Sequence, residues 1–179
     1  MTAISRSKVK IYIGEADAAV GSCTVIEGEI KSYSKSGGER EEDSDAVFGG
    51  YIDIEKPISQ VEISLEVRPK LDANQTRWDA MAYTLDGTNA GIYTMAEQNG
   101  TQPTGKIIYV QATDGTNYST LAFNNTNVTV FDLDHNADEN RTGNITFKFS
   151  PTDSEGVSNF MMGAVAAASL PLFSELDNN

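Results

Sequence analysis

The sequence has little of what enzymes and metal proteins are usually built from. Cys23 is the one cysteine and His135 the one histidine in 179 residues. A lone thiol permits no internal disulfide and no zinc site of the paired-cysteine type. A lone imidazole excludes His-based triads and His-rich metal sites. No histidine near Cys23 in sequence can activate its thiol. Positive charge is scarce too: 13 Lys and Arg stand against 26 Asp and Glu, for a net charge of −13. Ordinary nucleic-acid binding needs Lys and Arg to replace phosphate counterions, so that balance argues against it. Long apolar runs are missing. The longest, Phe160 to Phe173, is broken by Ser169 and Pro171 and is too short to cross a bilayer. Behind the basic residues Arg6, Lys8 and Lys10 no apolar stretch follows, so no signal peptide is expected. A single unpaired thiol suits folding in a reducing cytoplasm.

What is present is the two-residue period of β-strands. From Gln60 to Arg68, Val61, Ile63, Leu65 and Val67 alternate with Glu62, Ser64 and Glu66, which predicts a strand with one wet face. Lys8 to Ile13 repeats this with Val9, Ile11 and Ile13. Thr24 to Tyr33 reads as one strand, with Ile26 and Ile30 on one side and Glu27, Glu29 and Lys31 on the other. Tyr51 to Glu55 places Ile52 and Ile54 opposite Asp53. Between these strands, Ser34 to Phe48 is glycine, serine and clustered acid, and predicts a long mobile loop or an arm that orders against a partner.

One helix is expected at Asn74 to Leu85, where Trp78, Met81, Ala82 and Leu85 form an apolar stripe. Strands return at Lys106–Thr113, Tyr118–Phe123, Val128–Leu133 and Asn144–Phe149, the last two reading as a hairpin across His135–Gly143. The fold class is therefore mainly β. The expectation is a β-sandwich or barrel of two packed antiparallel sheets, with one flanking α-helix and a long acidic inter-strand loop, in a single domain over residues 1–179.

Chemical motifs are weak. Asp132 to Asn140 places acids and amides at alternate positions, as a calcium loop does. However, Ala137 stands where the sharp turn needs glycine, and Gly143 where a closing glutamate belongs. The pairs Gly37-Gly38 and Gly49-Gly50 lack the lysine and helix of a phosphate loop. Asn124-Asn-Thr126 and Asn144-Ile-Thr146 match glycosylation acceptors but suit chance occurrence in an Asn/Thr-rich β protein. Acids are too abundant for a glycosidase pair to stand out. No catalytic, cofactor-binding or metal-ligating residue is assigned, no cofactor is implied, and the chain is not expected to be an enzyme.

The order of elements, with Gly49-Gly-Tyr-Ile-Asp-Ile54, Glu62-Ile-Ser-Leu-Glu-Val67 and Thr146-Phe-Lys-Phe-Ser-Pro-Thr-Asp153 as its sharpest pieces, resembles the tail tube proteins (major tail proteins) of tailed bacteriophages. The resemblance covers most of the chain and pairs the strands at Tyr51–Glu55 and Gln60–Arg68. It implies a virion structural protein, made in the host cytoplasm and located in the tail. Its subunits would form stacked hexameric rings whose strands join into one inner barrel, an acidic conduit for DNA ejection. DNA would pass without specific binding, since carboxylates repel phosphate at short range. Other tail proteins (tape measure, terminator, distal tail and a possible sheath) would be partners, with no membrane contact.

On this reading Glu27, Glu29, Asp53, Glu62 and Glu66 face the lumen. The segment with Gly37, Gly38, Glu39, Arg40, Glu41, Glu42 and Asp43 becomes the inter-subunit or inter-ring loop. The apolar C-terminal segment, 161–179, is either buried interface or ordinary core. Two alternatives stay open: another tail, neck or head-decoration protein, and a carbohydrate-binding β-sandwich. The second predicts exposed rings on one sheet face, for which Tyr109, Tyr118 and Phe123 are the candidates.

Overall fold

The period-two segments at Lys8–Ile13, Tyr51–Glu55 and Gln60–Arg68 form strands, as the alternation predicts. In the computed structural model, residues 8–26, 30–39, 42–47, 50–55, 59–68, 84–85, 88, 92–94, 105–134, 142–153 and 155–176 are described. Their strands are β1 (Lys8–Glu15), β2 (Thr24–Ile26), β3 (Ile30–Gly37), β4 (Glu42–Val47), β5 (Gly50–Glu55) and β6 (Val61–Val67). They continue with β7 (Thr84–Leu85), β8 (Tyr93–Thr94), β9 (Lys106–Thr113), β10 (Tyr118–Asp134), β11 (Thr142–Phe149) and β12 (Phe160–Gly163). Eight of them form one antiparallel sheet in the order β2-β1-β9-β10-β11-β6-β3, with β12 also on β10. Hairpins β4–β5 and β7–β8 stand apart from it.

The sheet is mainly β as expected, but it is one sheet folded over and not closed into a barrel. Strand β10 makes the fold. It has 17 residues. Its first half pairs with β9 and β12, and its second half with β11. The pairing register shifts between Phe123 and Thr126 and again between Val128 and Val130. Such bulges bend a strand and increase its twist. Asn125 takes φ 52 at this corner, a left-handed conformation that Asn tolerates better than most residues. Asn124 is buried there, and its side-chain oxygen accepts from the Asp17 amide at 2.8 Å. The sequence separated Tyr118–Phe123 from Val128–Leu133 at this Asn-rich stretch; backbone pairing carries the strand through it.

The two halves of the folded sheet enclose the main core. Ile11, Ile13, Ile108, Val110 and Phe123 from the first half meet Val61, Ile63, Leu65, Ile145, Phe147 and Phe149 from the second. The rings of Phe123 and Phe149 lie 5.5 Å apart, tilted by 56°, a favoured aromatic geometry. The first half is also covered on its other side. Ile107, Tyr109 and Ala122 pack there against Ala167 and Phe173 of the C-terminal segment.

Three expectations are corrected, and a fourth lies almost wholly outside the described residues. Thr24 to Tyr33 is not one strand: β2 lies at the edge of the first half and β3 at the edge of the second. Ser34 to Phe48 is not a structureless loop where it is described, because Ser34–Gly37 completes β3 and Glu42–Val47 pairs with β5. Backbone ladders need no apolar side chains, so the serine-rich stretch is held by β6. Strand β5 pairs with β4, not β6. The expected helix lies outside the described residues except for Thr84 and Leu85, which form β7.

Candidate assembly surface

The second half, β10–β11–β6–β3, has a geometry distinct from the first. Strand β6 alternates fully between buried and half-buried positions, so Glu62, Ser64 and Glu66 point away from the core. The register sets rows across this outer face. Asp132 stands beside Asn144, then Glu66, then Ser32; Val130 stands beside Thr146, Ser64 and Ser34; Asn127 stands beside Lys148, Glu62 and Ser36. Ser64 and Thr146 share a hydroxyl hydrogen bond at 3.2 Å. Among the described residues this outer face is mainly polar, with the exposed Val130 as its apolar member.

Its acids are not free carboxylates throughout. Glu62 Oε2 lies 3.1 Å from Lys148 Nζ. Glu66 accepts from Lys31 Nζ and, at 3.2 Å, from Ser32 Oγ. The Lys31 hydrogen bond, helped by Ser32 and the charges of Lys31 and Arg68, holds the Glu66 carboxyl below its ordinary range. Asp132 and Asp134 are exposed and have no ion pair among the described residues. They lie in the segment that reads as a failed calcium loop, and only the register of β10 on β11 shows that they share a face with Glu66.

The other sequence-predicted residues separate. Glu27, Glu29, Arg40 and Glu41 lie outside the described residues. Asp53 opposes Ser44 in the β4–β5 hairpin, apart from the eight-stranded sheet that carries Glu62 and Glu66. Glu42 and Asp43 begin β4. Gly37 and Gly38 take φ 77 and 78 at the end of β3. A Cβ on Gly37 would collide with the Gln60 carbonyl, so glycine is required where β3 leaves β6. Glu39 follows, its amide donating to Ser59 Oγ at 3.3 Å.

The second half also has two strand edges. On one side, β3 pairs with β6; on the other, Asn127–Asp134 of β10 pairs with β11. Among the described residues no further strand pairs with either. Beside β3 opens a cavity of about 410 Å³, lined by Val9, Ile30, Tyr33, Val110 and Leu121 among others. Tyr33 Oη is buried there with no hydrogen-bond partner among the described residues, and burial pushes its phenol pKa up.

Other candidates have structural explanations. Tyr109 and Phe123 are 1% and 0% exposed, which leaves Tyr118 as the exposed ring of the three and gives no stacking platform. Cys23 is half-buried, its thiol donating to Ala19 O at 3.5 Å, and burial raises its pKa. Asn124 is buried, so its acceptor triplet is inaccessible. Among the described residues no three His, Cys, Asp or Glu side chains are placed to hold a metal ion. No helix there is long and apolar enough to cross a membrane.

No family model matches the chain, and no curated protein matches it. Among solved structures, one similar chain comes from the PVC sheath–tube complex of an extracellular contractile injection system in its extended state. It has 14% identity and a TM-score of 0.49 over 92% of this chain and 93% of that one. Another comes from the sixfold-symmetrised baseplate of the anti-feeding prophage, at 9% identity and a TM-score of 0.49, over 95% of this chain and 99% of that one.

Proposed function

We propose that the chain is a tail tube subunit: a virion structural protein, without catalysis, that assembles with its own copies into stacked hexameric rings around a conduit for DNA ejection. The observation that carries this reading is the four-stranded half with a mainly polar outer face and an edge on each side. Unpaired strand edges invite further pairing, and closing a sheet on itself removes them. Four antiparallel strands make the two edges run in opposite directions, so head-to-tail joining of identical subunits continues an antiparallel sheet. Heterologous contacts of this kind close into rings when the rotation permits.

On this reading the outer face becomes the lumen. Its described carboxylates are Glu62, Glu66, Asp132 and Asp134, against Lys31, Lys148 and Arg68. Since Lys31 and Lys148 are engaged by Glu66 and Glu62, the unpaired Asp132 and Asp134 supply much of the repulsion toward phosphate. The β4–β5 hairpin serves as the arm toward a neighbouring subunit or the next ring. Tape measure, terminator and distal tail proteins, with a possible sheath, are the partners this role requires. Negative-stain electron microscopy of the purified protein over a concentration series is the test. Rings or hollow tubes are expected; particles of monomer size at every concentration, including with tail initiator components added, overturn the reading.

A further inference from the structure

Where the turn after β1, the corner of β10 and the C-terminal segment meet, a second cavity of about 410 Å³ opens. It shares no residue with the outer face of the second half. Two carboxylates in its wall are each held by one oxygen. Asp17 Oδ1 accepts from the amides of Phe173 and Ser174 at 2.8 and 3.3 Å, and Asp153 Oδ1 from those of Glu155 and Val157 at 2.8 and 2.9 Å. The second oxygen of each accepts from no described residue. Asn124, 6% exposed, lines the same cavity. Its Oδ1 accepts from the Asp17 amide, while its Nδ2 donates to no described residue. Unlike Tyr33 Oη, this donor is not sealed from solvent.

The geometry points to a site for a polyhydroxylated ligand, a sugar, whose hydroxyls take the Asn124 Nδ2 donor and the open oxygens of Asp17 and Asp153. A hydroxyl both donates and accepts, so it satisfies an amide donor and a carboxylate acceptor that line one cavity. An ammonium group offers nothing to Asn124, and an anion is repelled by the aspartates. Among the described residues no three acids are placed to hold a metal ion. A polar group nine-tenths buried and left unpaired is costly, which favours a ligand that supplies the missing bond. Water meets that demand one molecule at a time. A sugar brings several hydroxyls on one frame, and Val157 and Leu176 give its C–H edges an apolar wall.

The walls are fixed before any ligand arrives. Asp17 at φ 56 and Asn125 at φ 52 are the non-glycine residues with positive φ among those described, and both line this cavity. Such conformations persist where the surroundings over-determine them. Here the Asn124 amide donates to Asn159 O at 2.8 Å, Asn125 Nδ2 to Asn159 Oδ1 at 3.0 Å, and Asn159 Nδ2 to Ser150 O at 3.1 Å. Phe173, the ring in the wall, is buried, so hydrogen bonds rather than stacking carry recognition. The site is complete within one subunit, and the inference goes beyond the ring reading without resting on it.

Nuclear magnetic resonance titration of the isotope-labelled full chain tests the site, with D-glucose, D-galactose, D-mannose and N-acetyl-D-glucosamine as probes. At least one sugar is expected to shift the Asn124 side-chain amide saturably, together with the backbone amides of Asp17 and Glu155. Asp17→Asn keeps an oxygen for the Phe173 and Ser174 amides but turns the open oxygen into a donor. Asp153→Asn does the same at the other carboxylate. Each should weaken binding roughly tenfold or more, with the dispersion of the other amides unchanged. Shifts that survive both substitutions overturn the proposal, as does a titration in which none of the four sugars moves these resonances. Shifts produced by putrescine or calcium chloride but not by the sugars overturn it in favour of a cation site.

Discussion

The two halves of the sheet solve burial differently, and their sequences say so. In the first half, β9 reads Lys-Ile-Ile-Tyr-Val-Gln-Ala-Thr and is buried continuously from Ile107 to Gln111. A strand covered on both faces has no wet side to alternate with. Its second cover is the C-terminal segment, pinned by polar contacts. Gln111 Oε1 accepts from the Ala167 amide at 2.8 Å, Thr120 donates to Val165 O at 2.6 Å, and Asp17 accepts from Phe173 N at 2.8 Å. In the second half, β6 alternates without exception and leaves one face to water. The first half has thus used its faces for stability. The second leaves a mainly polar face to water, with β3 at one side and the Asn127–Asp134 part of β10 at the other.

The comparison breaks most completely where the halves share atoms. Phe147, fully buried between them, is expected to cost about 3–5 kcal/mol when changed to alanine. Urea unfolding should then show one weakened transition for the whole sheet; loss confined to one half would mean the halves fold independently. Gly37→Ala acts on the second half alone. A left-handed φ at a residue with Cβ, together with the clash on Gln60, should cost about 2 kcal/mol, with faster amide exchange along β3 but not β9.

Asp17→Ala sharpens the contrast from the other side. It removes the acceptor for the amides of Phe173 and Ser174, at about 1–2 kcal/mol. Proteolysis or hydrogen exchange should report loosening of 164–176 while β6 and β11 stay protected. A smaller effect is expected at Tyr109, whose hydroxyl donates to Ala18 O at 3.0 Å. Burial, with the nearby Cys23 and Asp17, pushes its pKa up to about 12. A raised phenol pKa means the stabilisation is fully present below the ordinary value of 10 and is lost as pH rises from there through about 12. Ultraviolet titration should find one tyrosine ionising last, and Tyr109→Phe should abolish that phase at a cost of about 1 kcal/mol.

The smallest effect on the subunit belongs to Glu62→Lys with Glu66→Lys. Both sites are solvent-facing, and exposed pairs contribute little. The melting temperature should hold and tubes should form, while DNA delivery slows; unchanged infectivity would remove the lumen assignment of this face.

Much of this was legible beforehand. The alternation in Gln60–Arg68 set which residues of β6 enter the core, and the pairing of Val128–Leu133 with Asn144–Phe149 was readable from two short runs around a polar turn. The misreadings have specific causes. Ser34–Gly37 lacks apolar residues, so its hydrophobic pattern could not reveal that β6 holds it by backbone pairing. Asn124–Asn127 has turn composition, yet becomes the corner of a 17-residue strand. No local pattern pairs Lys31 and Lys148 with Glu66 and Glu62, because the lysines are far from them in the chain.

By itself, then, the sequence determined the chemistry of this protein: a mainly β chain, acid-rich, with one wet side on β6, and with one thiol and one imidazole, too few for a paired-cysteine zinc site or a His-rich metal site. Composition and period are local properties, and side-chain direction follows from backbone geometry at each residue. Only the tertiary structure decided which strands neighbour one another. That choice placed β2 and β3 in different halves, brought Lys148 to Glu62, and left the lysines and aspartates of the second half on opposite edges. Strand order and register come from long-range pairing, in which residues distant along the chain compete for the same edge, and no local pattern records which of them wins.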